Sequence, residues 1–267
     1  MAVKTQSQPA LTAARVLRDL LARRDVARAL VSQRFFKTGP GQYGEGDRFL
    51  GLSVPMSRSL AKQYRQLDLV ELRKLLGSEW HEARLLALLI LVLQYPKADE
   101  VGQQAIYKLY MASTARINNW DLVDVSAEHI VGPHLYQRTR QPLLKFARSK
   151  DLWQRRIAVL STFHYIKLGE FAETLRLAEM LLQDEHDLIH KAVGWMLREI
   201  GKRDQRAAQS FLDMHAARMP RTMLRYAIER FDPKLRHRYM QLKFVDAPKG
   251  TASALPGALV KTVRSRG

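Results

Sequence analysis

The chain has 267 residues, and its 44 Lys and Arg against 26 Asp and Glu leave a formal net charge of +18. That length buries a sizeable core as one large domain or two modest ones, and the charge makes a polyanion the first partner to consider. Without a single cysteine, a disulfide framework, a thiolate zinc site, an iron–sulfur cluster and a cysteine nucleophile are all excluded.

Residues 1–10 are polar and precede a charged amphipathic stretch. No apolar signal block is present, so they are expected to be a flexible N-terminus on a soluble, cytoplasmic protein. From Leu11 to about Leu242 apolar residues recur with a period near 3.6, while alternating runs of Val, Ile and Thr are almost absent. This patterning predicts an all-α fold. The Gly-rich stretch FFKTGPGQYGEGDRFLGLSVP, Phe35 to Pro55, reads as a long ordered loop tying an N-terminal helix to the remainder. The longest apolar run, Leu85 to Leu93, is about half of the roughly 20 residues a membrane-spanning helix needs, and it predicts a buried helix.

Helix breaks are expected at Gly77-Ser78, Tyr95-Pro96, Gly132-Pro133, Ser149-Lys150, Leu168-Gly169, Gly201-Lys202, Met219-Pro220 and Asp232-Pro233. Their intervals suggest helix pairs of roughly 35 residues, the size of HEAT-like units, and so an α-solenoid spanning residues 11–243 as one domain. Residues 244–267 are small, Pro- and Gly-containing and basic, which predicts a disordered tail. Helices starting near Trp80, Asn119, Asp151, Asp187 and Arg221 look equivalent. Each places a charged residue before an apolar stretch: Arg84, Asp124, Arg156, Lys191 and Arg225. Stacked along a solenoid, these positions would form a stripe that is basic except at Asp124.

Asn118-Asn119-Trp120-Asp121-Leu122-Val123-Asp124 carries the most chemistry. Two asparagines can cap a helix, and spacing i,i+4 puts Trp120 and Asp124 on one face. Asp124 falls at the edge of the apolar stripe formed by Val123, Ala127, Ile130 and Val131, and is therefore partly desolvated. Asp121, in the first turn, suits the helix N-terminus. Arg156 falls inside the apolar stripe of the helix after Asp151, while Arg155 points away. A buried arginine needs an anionic partner, which is either a ligand or a carboxylate of this chain, Asp124 included. Trp195 stands at the border between the apolar face and the cations Lys191 and Arg198.

Other patterns carry less. Gly39-Pro-Gly41-Gln-Tyr-Gly44 matches a dinucleotide fingerprint in letters only, since it follows a helix and opens none. His81-Glu82 lacks the second histidine of a zinc-protease helix. His186 and His190 have no obvious third ligand, so no metal site is expected.

Together NNWDLVD, the Gly-rich loop, LWQRRIAVLSTF and KAVGWMLRE resemble the AlkD-type DNA alkylation repair glycosylases over roughly Ala27 to Arg238. The resemblance implies a HEAT-like superhelix whose concave basic face holds duplex DNA. It also implies excision of cationic purines, N3-methyladenine and N7-methylguanine, with no metal or cofactor. Asp124 matches the family's catalytic aspartate, Trp120 and Trp195 match two tryptophans flanking the lesion's deoxyribose, and Arg156 matches an arginine near the DNA backbone. Lys191 and Arg225 are further candidates for phosphate contact. The expected protein is a monomeric, monofunctional N-glycosylase leaving an abasic site. No exposed apolar wedge is legible, so the base need not leave the stack. The alternative is a noncatalytic solenoid that binds branched or distorted DNA.

Overall fold

The computed structural model describes residues 11–243, and the two expected flexible termini lie outside that range. The described chain runs through α1 (Ala13–Leu21), α2 (Val26–Phe35), α3 (Val54–Gln63), α4 (Leu69–Leu76), α5 (His81–Gln94), α6 (Glu100–Ala112), α7 (Trp120–Asp124) and α8 (Ala127–Tyr136). It continues through α9 (Gln141–Ala147), α10 (Leu152–Ser161), α11 (Phe163–Lys167), α12 (Ala172–Met180), α13 (Asp187–Gly201), α14 (Gln205–His215), α15 (Arg221–Ala227) and α16 (Pro233–Met240). The fold is all-α and solenoid-like. Among the described residues the one pairing of extended backbone is an isolated bridge between Arg48 and Trp80.

Local chemistry explains where the helices begin. Thr12, Asp25, Ser53, Asp68, Asp99 and Asp151 each accept a hydrogen bond from a first-turn N–H, satisfying donors that a helix cannot satisfy itself. The run of α5 from Ala83 through Leu91 is wholly buried, and Arg84 is the single charge within it. An inner row forms where α5 packs on α7 and α8, α10 on α7, α8 and α13, and α13 on α15. Helices α4, α6, α9 and α14 back that row.

One expected break differs. Gly132-Pro133 does not end a helix; both residues lie inside α8. A Cβ on Gly132 would stand 2.5 Å from the Ser161 carbonyl oxygen, so glycine is there to let α8 approach α10 closely. The break falls earlier, at Val125-Ser126. The Ser126 hydroxyl donates to the Leu122 carbonyl at 2.5 Å, a local bond that competes with helix continuation. Trp120 and Asp124 therefore occupy a single five-residue turn.

The repeat register also differs by one residue. Arg84 donates to the carbonyls of Ser78 and Glu79, Arg155 to those of Ser149 and Lys150, and His190 bonds the carbonyl of Asp184. Each side chain reaches back about one and a half turns to tie down the loop that feeds its helix. Arg155, not Arg156, is thus the equivalent of Arg84, and the expected basic stripe does not form. Arg84 and Arg156 are 2% and 5% exposed and both are paired with carboxylates.

The Gly-rich loop between α2 and α3 is fixed by Glu82, whose carboxylate accepts from the backbone N–H groups of Leu50, Gly51 and Leu52 at 2.8, 2.7 and 3.2 Å. Gly51 has φ +89°, and a Cβ there would lie 2.2 Å from the Asp25 carbonyl oxygen. Replacing Glu82 with glutamine keeps the shape but turns an NH2 toward backbone donors. We expect a loss of about 1–3 kcal/mol in urea unfolding, with Gln as stable as Glu being the contrary result.

Candidate functional site

Trp120 opens α7, where Asn119 is fully buried and accepts from the Trp120 N–H at 2.9 Å. Its indole is wedged against the end of α2: Phe36 stacks on it at 5.2 Å between ring centroids, and Phe35 meets it edge-on at 5.9 Å. One turn on, Asp124 projects toward α10. Both its oxygens accept from Arg156, Nε to Oδ1 and Nη2 to Oδ2, each at 2.8 Å. Arg156 spends a further N–H on the Leu188 carbonyl at 2.6 Å. This is a bidentate ion pair, the strongest geometry available to these two groups.

Arg156 is thereby taken up inside the protein. The sequence left its partner open between DNA and Asp124; the geometry pairs it with Asp124, because an arginine flanked by Trp153, Ile157 and Leu160 on a packed helix cannot be left without a counter-charge. Burial pushes the Asp124 carboxyl above its ordinary range, and the hydrogen bonds and charge of Arg156 pull it only part of the way back. The Asp124 side chain keeps 18% of its surface exposed.

Beside this pair an open cavity of about 470 Å³ lies between the two indoles, lined by Trp120, Arg156, Leu188 and Trp195 together with Phe35, Tyr43, Tyr226, Lys191 and Arg198. Trp195 comes from α13, where Gly194 lets α15 approach so closely that a Cβ would stand 2.5 Å from Met223 O and Tyr226 Cβ. Tyr226 thus forms part of the wall while its neighbour Arg225 is exposed. Among the described residues Arg225 has no carboxylate partner, and it lies outside the cavity. Lys191 is at the cavity and bonds Asp187 at 2.7 Å; that bond holds its ammonium above the ordinary lysine range. Arg198 is paired with Glu229. Every cation lining the cavity therefore has its own carboxylate.

Of the residues the sequence singled out, Trp120, Arg156, Lys191 and Trp195 line the cavity, while Asp124 is not a lining residue and stands next to it through its pair with Arg156; Phe35, Tyr43 and Tyr226 were not singled out. Phe35 is 63% exposed and stands at the mouth of the cavity at the end of α2, so an exposed aromatic exists although not on a loop. Tyr43 is brought over by the Gly-rich loop, which turns at Gly41 (φ +70°) and Gly46 (φ +77°). A tyrosine between turn-forming glycines was the available signal. His186 and His190 are half-buried local caps, His186 accepting from the Leu188 N–H. Among the described residues no group of three or more His, Asp or Glu is placed to hold a metal ion, and no helix is long and apolar enough to cross a membrane.

The sequence profile described as DNA alkylation repair enzyme matches residues 16–231. The chain belongs to that family. DNA alkylation repair is accordingly its setting, with DNA as substrate. Among solved structures, a protein from Enterococcus faecalis described as a predicted DNA alkylation repair enzyme shares the fold, with a TM-score of 0.62 at 14% identity over 79% of this chain and 97% of that one. The smu.31 protein of Streptococcus mutans UA159 aligns with a TM-score of 0.43 at 17% identity, over 82% and 98% of the two chains. No curated protein matches the chain.

Proposed function

We propose that this protein is a DNA glycosylase that hydrolyses the N-glycosidic bond of cationic alkylated purines, N3-methyladenine and N7-methylguanine, in duplex DNA and leaves an abasic site. The observation that carries this reading is the character of the cavity. In a chain of net charge +18 its wall is made of five aromatic rings and of cations already neutralised by Asp124, Asp187 and Glu229. A phosphate gains little in such a place. A positively charged group gains the faces of the rings.

The chemistry asks for little more. Alkylation puts a positive charge on the purine, so the C1′–N bond breaks with its electron pair leaving on the base and the base neutral. Water attacks C1′ and loses a proton to the carboxylate or to solvent. Asp124 would hold that water and face the positive charge growing on the sugar, with Arg156 keeping the carboxylate ionised and aimed. Trp120 and Trp195 would pack on the deoxyribose and keep bulk water out. Lys191 is a poor candidate for Schiff-base chemistry, because an amine nucleophile needs a lowered pKa and Asp187 raises this one. A monofunctional enzyme follows.

Incubation with methylated duplex and chromatography of the released bases tests the reading directly. Release of methylpurines without strand cleavage is expected; tight binding to junctions or bulges with no release would favour a noncatalytic solenoid. Phosphate contact falls to exposed cations such as Arg225. Arg225→Ala is expected to weaken binding to undamaged duplex and to flatten the plot of log affinity against log salt by about one unit. An unchanged slope would remove Arg225 from the interface.

A further inference from the structure

Behind the aromatic wall lies a buried charge network that the catalytic reading does not use. His81, at the start of α5 and 2% exposed, sits between two carboxylates, Nδ1 to Asp47 Oδ2 at 2.7 Å and Nε2 to Asp121 Oδ2 at 2.8 Å. The Asp47 side chain comes from the Gly-rich loop and is fully buried; its Oδ1 accepts from Arg84 at 2.5 Å, and Asn119 Nδ2 approaches Oδ2 at 3.4 Å. Asp121 belongs to α7 and lies between Trp120 and the turn that ends in Asp124.

A neutral imidazole has one N–H and one lone pair. Here both ring nitrogens face carboxylate oxygens, so a neutral ring would set a lone pair against an anion. The arrangement requires an imidazolium. The charges then cancel, Asp47 and Asp121 against His81 and Arg84, and among the described residues Asp121 and Asp47 are the charged groups that act on the ring. Phe49 stacks on His81 at 4.4 Å and Phe36 lies 5.2 Å from it; Phe36 in turn stacks on Trp120. A helix of five residues has no stability of its own. Neighbours therefore fix α7: Leu122 and Val123 are buried and Arg156 holds Asp124 at its end, while its first turn is gripped by Asn119, Asp121 and the Phe36 ring, all of them fastened to or stacked on this network.

We propose that His81 is a positioning residue for the glycosylase reaction, an imidazolium that locks the Gly-rich loop to α7 and so sets Trp120 in the cavity wall and Asp124 next to it. It rests on the glycosylase reading. The bond to Asp121 also has electrostatic reach, since Asp121 is one of the charges that push the Asp124 carboxyl up. Burial by itself would lower the His81 pKa, but Asp121 and Asp47 outweigh it and bring it to about 9. A raised pKa means that stabilisation by this group is complete below about pH 6.5 and is lost as pH rises through about 9.

The test pairs two measurements on the same protein between about pH 6 and about pH 10: single-turnover release of N3-methyladenine at saturating protein, and fluorine NMR after 5-fluorotryptophan labelling, with the Trp120 signal identified by its loss in Trp120→Phe. In the unaltered protein the release rate falls and the Trp120 signal shifts with one shared alkaline midpoint. His81→Gln, which can serve only one carboxylate as a donor, lowers release about 10- to 100-fold at neutral pH, keeps affinity for undamaged duplex and abolishes the alkaline limb. Asp121→Asn keeps the Asp47–His81–Arg84 contacts, and so serves if the histidine variant does not fold. It moves the midpoint down by roughly one unit or more. A midpoint unmoved by Asp121→Asn, or a Trp120 signal indifferent to pH, overturns the proposal. Absence of base release from the unaltered protein defeats the glycosylase reading instead, and the fluorine titration alone then decides whether His81 governs Trp120.

Discussion

Asp124→Asn is expected to reduce release of methylated purines by about 10²- to 10⁴-fold while leaving affinity for undamaged duplex unchanged. The amide is isosteric and can still accept one hydrogen bond from Arg156. It brings no negative charge to the sugar, it cannot take a proton from water, and its NH2 faces a guanidinium donor where Oδ1 or Oδ2 accepted before. Loss of rate at constant duplex affinity is the signature of a group that acts in the transition state. Single-turnover release together with a binding isotherm on unmethylated duplex checks both halves. Full release by this variant would remove Asp124 from the chemistry and leave the cavity as a binding feature.

Arg156→Met should show a different pattern, because the arginine is read here as the holder of a carboxylate and not as a phosphate contact. Removing it strands the Asp124 carboxylate without its donors and takes one hydrogen bond from the Leu188 carbonyl. Breaking a pair this deeply set costs about 3 kcal/mol or more, which for a chain of this size lowers the thermal midpoint by roughly 5–10 °C. Asp124 loses the hydrogen bonds and the charge that hold its carboxyl down, while the burial that raises it remains, so its pKa climbs. Release by Arg156→Met is therefore low at acid and neutral pH and recovers as pH rises and the carboxyl ionises. Affinity for undamaged duplex and its salt dependence stay as they were. If Arg156 instead neutralised a phosphate, the variant would bind every duplex more weakly, its salt slope would fall by about one, and no alkaline recovery would appear. The contrast with Arg225→Ala, an exposed cation without a partner among the described residues, makes the two outcomes distinguishable in one series.

Part of the site was legible before any fold was known. Asn119 as a cap, Trp120 and Asp124 one turn apart, and an arginine out of place in the apolar stripe of α10 are facts about neighbours within a turn or two, and sequence spacing reports such neighbours directly. The refusal of His81-Glu82 as a zinc motif leaves two side chains with other work: His81 bridges two aspartates, and Glu82 caps three backbone donors. Neither role has a spacing signature, because the partners of each lie 30 or more residues away.

The sequence alone determined the all-α class, the points at which the inner helices begin, and the placing of Trp120, Asp124 and Trp195 at helix edges, since caps and 3.6-residue periodicity are free energies of local segments. The tertiary structure decided which charges are spent. Asp124 meets Arg156 across 32 positions of sequence, Asp121 meets His81 across 40, and Asn119 meets Asp47 across 72. Such pairings depend on how helices stack and on where glycines let them approach, as Gly132 and Gly194 do. A one-residue register, Arg155 against Arg156, is enough to turn an expected phosphate contact into an internal partner, because a side chain's counter-charge is set by what lies across the packing interface and not by its neighbours along the chain.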